Sequence, residues 1–115
     1  MVKLVSLKKS SHFKIALKER KFHKDSFSIF VAKNFLKSKH KNTLNISFVM
    51  KKKIGNATKR NKIKRKLKAI VSKLLKIKGA INYNYTYIVF GKTKAYKEKH
   101  NTLLSEMTKI FKKIK

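Results

Sequence analysis

The chain reads as a single small α+β domain. Three observations predict this: three stretches have the composition or period of a strand, three carry apolar residues at helical spacing, and the two kinds alternate along the chain. The expected order is α-β-β-α-β-α, a sheet packed with helices. No repeat, proline-rich linker or low-complexity tract divides residues 1–115 into more than one domain, and 115 residues suffice for one packed core.

Ser10 or Ser11 can cap a first helix running to about Arg20, with Phe13 and Leu17 one turn apart and Ala16 beside them. From Asp25 to Ala32 the pattern alternates, placing Phe27, Ile29 and Val31 on one side and Ser26, Ser28 and Phe30 on the other. Phe30 interrupts an otherwise polar face. A lysine-rich loop from about Leu36 to Asn42 precedes a second strand, in which Leu44, Ile46, Phe48 and Met50 alternate with Asn45 and Ser47. A short polar connection between two strands predicts an antiparallel pair.

The stretch from Met50 to Val71 reads as a glycine turn feeding a cationic helix. Gly55 permits a positive φ, and Asn56 is a suitable N-cap for a helix starting near Ala57. Ile63, Leu67, Ile70, Val71 and Leu74 recur at steps of three and four and form a buried face, and Gly79 is expected to supply the left-handed residue at its end. Arg60, Lys64 and Lys68 run beside that face, Asn61 and Arg65 point further toward solvent, and Lys62 and Lys66 cover the other flank. Tyr83 to Phe90 is β-branched and aromatic, a third strand ended by Gly91. Its Tyr83, Tyr85 and Tyr87 share one face and are read as packing residues, and Phe27, Phe48 and Phe90 as core. Leu103, Leu104, Met107, Ile110, Phe111 and Ile114 mark a final amphipathic helix. The second strand, cationic helix and third strand form a candidate β-α-β crossover, for which the general rule expects a right hand.

Charge narrows the function. With 33 Lys and Arg against 4 Asp and Glu the chain carries +29, which implies a phosphate-rich partner. Like charges four apart on a helix cost roughly 0.2–0.5 kcal/mol per pair, and the cationic helix has several with no acid to offset them. A polyanion reverses that cost. The four acids, Glu19, Asp25, Glu98 and Glu106, are scattered, and only the last two share helical spacing; His12, His23, His40 and His100 lack metal-ligand spacing. Catalytic and metal-binding residues are therefore expected to be absent, and any nuclease activity must come from a partner. Phe30, on a polar strand face, is the best candidate for stacking on a single-stranded base, and Phe13 fits either core or stacking. With no cysteine the redox compartment is open; with no signal peptide or membrane span, the cytoplasm is expected.

The run Lys52-Lys53-Ile54-Gly55-Asn56-Ala57-Thr58-Lys59-Arg60-Asn61-Lys62-Ile63-Lys64-Arg65 closely resembles the signature of the bacterial ribonuclease P protein subunit. Leu7-Lys8-Lys9, Phe13 and the strand from Phe27 to Phe30 also fall where that family has counterparts. The resemblance implies a subunit that cuts nothing itself. A catalytic RNA with Mg²⁺ removes the 5′ leader of precursor tRNA, and no cofactor on protein side chains and no protein partner is implied. Carried over by position, Lys52, Lys53, Asn56, Arg60, Asn61, Lys62, Lys64, Arg65 and Lys68 are the expected RNA contacts, with Phe13, Leu17 and Phe30 lining a leader cleft. The family's β-α-β crossover is left-handed, which would override the general rule. Lys62 stands where the motif has a second arginine and cannot offer a planar bidentate fork. Leu17 replaces an often aromatic residue, Phe30 a frequent tyrosine, and Asp25-Ser26 lacks the arginine common before the strand. Charge alone would fit another class, a basic ribosomal or nucleoid protein with no role in cleavage. Adsorption of the amphipathic helices to an anionic membrane is disfavoured because a sheet is available to bury them.

Overall fold

The computed structural model describes residues 3–6, 10–33, 43–77 and 79–114. The expected lysine-rich loop at 36–42, His40 within it and the Leu7-Lys8-Lys9 start lie outside these residues. Among the described residues five strands and three helices are formed: β1 (Lys3–Val5), α1 (Ser10–Ala16), β2 (Arg20–His23), β3 (Phe27–Lys33), β4 (Thr43–Val49), α2 (Ala57–Leu75), β5 (Tyr85–Gly91) and α3 (His100–Lys113). Short 3-10 turns at Lys52–Ile54 and Thr93–Tyr96 precede α2 and α3.

The α+β class stands, with two strands added to the expected order. The first helix stops at Ala16 rather than near Arg20, and Arg20–His23 pairs antiparallel with β3. The sheet order is β1-β4-β5-β3-β2. The antiparallel pair expected of β3 and β4 does not form, because β5 lies between them, antiparallel to β3 and parallel to β4. β5 is buried on both faces and takes the central slot of the sheet.

Alternation then sorts each strand. Phe27, Ile29 and Val31, Leu44 and Ile46, and Tyr87 and Val89 face α2 and α3, where they meet the stripe Ile63, Leu67, Ile70, Val71, Leu74 and the α3 residues Leu103, Met107, Ile110 and Phe111. Full burial of each such side chain stabilises by about 1.5–3 kcal/mol, which is what holds the cationic helix to the sheet. Asn56 caps α2 as its position predicts, its Oδ1 accepting from the Lys59 amide at 2.9 Å. The other end differs: α2 ends at Leu75, and Gly79, at φ 78°, serves the turn beyond it. Gly55 adopts φ 151°, the positive value read from the sequence. Tyr87 is fully buried, with its hydroxyl donating to the Asn82 carbonyl at 2.6 Å, while Tyr83 and Tyr85 pack at the core's edge.

Candidate nucleic-acid interface

Among the described residues, the sheet's other face is only half covered. α1 lays Ala16 and Phe13 on Ala32 and Ile88, and the register sets two cross-strand rows on this face: Lys21, Phe30, Ile88, Ser47 and His23, Ser28, Phe90, Val49. Lys21 and Phe30 of the first row and His23, Ser28 and Phe90 of the second floor a cleft of about 770 Å³. Leu17 at the end of α1 and Ile54 contribute apolar walls; Lys21, Lys51, Lys53, Lys92 and Lys94 surround the opening, against one acid, Asp25, which pairs with Lys94 at 3.4 Å.

The floor is aromatic and the rim cationic. Phe30 and Phe90 meet edge to face at 5.3 Å between centroids, with the Lys21 ammonium 5.4 Å from the first ring and that of Lys51 5.6 Å from the second. His23 Nδ1 lies 2.6 Å from Ser28 Oγ, and its ring stands edge-on to Phe30. Partial desolvation, then the charges of Lys21 and Lys92, hold its pKa below the ordinary 6.5, so the imidazole is neutral at neutral pH. Lys92 also donates to the Lys24 carbonyl at 2.6 Å.

The turn Lys52–Ile54 joins this cleft to α2: Lys53 and Ile54 line the cleft, and Gly55 and Asn56 then start the helix. On the helix, Arg60, Asn61 and Lys64 share a recess of about 210 Å³ with Phe48, Met50 and Ala57. The Nε of Arg60 is buried there without an acceptor among the described residues. An unsatisfied buried donor costs about 1–3 kcal/mol, more when charged, so this site favours an incoming oxygen. Lys52, Arg65 and Lys68 are exposed. Lys62 lies over the Tyr96 ring at 4.8 Å.

Of the residues singled out in the sequence, Leu17 and Phe30, expected at a leader cleft, line this one; Lys53, expected as an RNA contact with Arg60, Asn61 and Lys64, lines the cleft, while those three line the recess. Phe13 instead packs with Ala16, Ala32 and Ile88 and is not among the cleft's lining residues. Phe90, read as core, is a half-buried cleft residue, because it shares the parity of Thr86 and Ile88 and so faces away from Tyr87. Strand period alone carried that signal. His23, Lys21, Lys51, Lys92 and Lys94 had none, since they come together only through β2 and the register of β5. Glu98 precedes α3, so it shares no helical face with Glu106. Among the described residues no three His, Cys, Asp or Glu side chains converge as a metal site.

Among the described residues, a half-covered sheet with aromatic rings, a lysine rim and an adjoining cationic helix defines the class: a small α+β domain with a surface suited to nucleic acid. The family follows from the whole sequence. The model of the Ribonuclease P family matches residues 1–115, and the chain belongs to that family. The fold is that of the RNase P protein from Thermotoga maritima in complex with 1-(4-Fluorophenyl)-2-thiourea, with a TM-score of 0.69 at 23% identity over 92% of this chain and 95% of that one. The Staphylococcus aureus RNase P protein is similar too, with a TM-score of 0.65 at 24% identity over 95% and 93% of the two chains. A search of curated proteins finds no match.

Proposed function

We propose that this chain is the protein subunit of ribonuclease P, acting in the cytoplasm to bind the catalytic RNA along α2 and the 5′ leader of precursor tRNA in the cleft. One observation carries the reading: the Lys52–Ile54 turn makes an aromatic-floored, lysine-rimmed cleft continuous with the motif helix. Leader bases stack on Phe30 and Phe90, lysines of the rim meet leader phosphates, and Arg60, Asn61 and Lys64, with Arg65 and Lys68 beside them, meet the catalytic RNA. The bond is cut by that RNA with its own Mg²⁺. The protein contributes counter-charge and orientation, which matter most when Mg²⁺ is scarce.

Reconstitution tests it. Purified protein added to the cognate catalytic RNA should accelerate cleavage of precursor tRNA at low Mg²⁺; no acceleration would reject the assignment. Within an active holoenzyme, Phe30→Ala or Phe90→Ala should weaken binding of leader-bearing substrate by roughly 1–3 kcal/mol and leave mature tRNA nearly unaffected. Equal losses for both RNAs would make the rings structural.

A further inference from the structure

The cations of α2 do not all face the same way. Lys59, Lys62 and Lys66, spaced i, i+3, i+7, lie on one flank of the buried stripe, and Arg60 and Lys64 on the other. The first flank meets the Thr93–Tyr96 turn. Lys66 Nζ donates to the carbonyls of Ala95 at 2.9 Å, Tyr96 at 3.1 Å and Glu98 at 2.8 Å, which engages all three of its protons. The Tyr96 ring in turn lies under two ammonium groups, 5.1 Å from that of Lys59 and 4.8 Å from that of Lys62. Three lysines of one helix thus converge on one turn.

We infer that this turn is a positioning device for the RNA-facing flank of α2, with Lys66 anchoring its backbone and Tyr96 gathering Lys59 and Lys62. The inference rests on the reading of α2 as an RNA surface and deepens it. A helix about 10–12 Å across that rotates on its axis by roughly 15° shifts a side-chain tip by about 1.5 Å, enough to break a hydrogen bond. Fixing one flank sets the rotation and hence the aim of Arg60 and Lys64. The same contacts offset part of the repulsion along the helix, because two of its ammonium groups lie over one ring and a third is enclosed by carbonyl oxygens. Lys66 is thereby a positioning residue and not a phosphate contact, although it lies within the most cationic run of the chain.

The test combines salt-dependent binding with chemical footprinting. Affinity of the full-length protein for a transcript of the cognate catalytic RNA is measured over a range of salt for wild type, Lys66→Met, Tyr96→Leu, Tyr96→Phe and Arg60→Ala. Lys66→Met and Tyr96→Leu should each lower affinity roughly fivefold to tenfold with the slope of log affinity against log salt unchanged, and Tyr96→Phe, which keeps the ring, should bind as wild type. A slope reduced by about one unit in Lys66→Met would make Lys66 a phosphate contact and overturn the inference. So would unchanged affinity in both Lys66→Met and Tyr96→Leu. Arg60→Ala separates the two levels: if its slope is also unchanged, the α2 reading itself fails. Acylation of wild-type protein guards against unfolded variants. Lys66 should label more slowly than Lys64 and Lys68 in the free protein, with Lys64 becoming protected only on RNA binding; labelling of Lys66 as fast as Lys64 in the free protein would refute the anchor.

Discussion

At the scale of single residues, His23 carries the clearest pH signature. Folding lowers its pKa through desolvation and the charges of Lys21 and Lys92, so the folded state binds the proton less readily than the unfolded one. The free protein should therefore lose stability as pH falls below about 6.5 through the lowered value. A nucleic-acid phosphate placed near the imidazole would act in the opposite sense and raise that pKa, so on the proposed reading single-stranded RNA should bind more tightly as pH falls across the same window. An NMR titration of the His23 ring with and without a single-stranded oligonucleotide reads this directly, and an unmoved titration would take the imidazole out of the ligand's reach. His23 also marks where sequence reading stops. Arg60 and Lys64 were legible because one helix and one motif contain them; the imidazole acquires meaning only when β2 sets it opposite Ser28, a pairing no local pattern announced.

At the scale of elements, the end of β5 approaches α2 closely at one glycine. Gly91 closes β5 against the helix, and a Cβ there would come within 2.8 Å of Ile63 Cγ2 while also striking the Met50 side chain. Gly91→Ala should therefore destabilise the fold by about 1–3 kcal/mol, measurable by urea denaturation, with the two ends of α2 unaffected in their caps. A neutral effect would mean that Met50 swings aside freely. The stripe of α2, its Asn56 cap and the amphipathic pattern of α3 were all legible, because helical period and capping chemistry are local. Strand neighbours were not. β3 and β4 follow one another with a polar connection between them, which ordinarily predicts a hairpin, and nothing near either strand signals that a third will take the place between them. The four-residue β2 escaped because Arg20 and Lys21 hid its period behind what read as a helix end.

For the whole molecule, the decisive quantity is +29 on a chain of 115 residues. Self-repulsion of that size loosens the free protein, and a polyanion that binds only the folded form should stabilise it by about 2.7 kcal/mol at a hundredfold excess over its dissociation constant. Thermal melting with a stoichiometric single-stranded oligonucleotide, compared with the same added ionic strength as sodium chloride, separates specific occupancy from screening; equal shifts would mean that no defined site is filled. The sheet order has a further consequence, for synthesis. β3 and β4 leave the ribosome before β5 exists, each with one edge committed to a partner not yet translated. Until residues 85–91 emerge, the nascent chain holds an unfilled gap at its centre beside a helix whose cations have no acid to offset them, so the interval before β5 is made is where misassembly should concentrate.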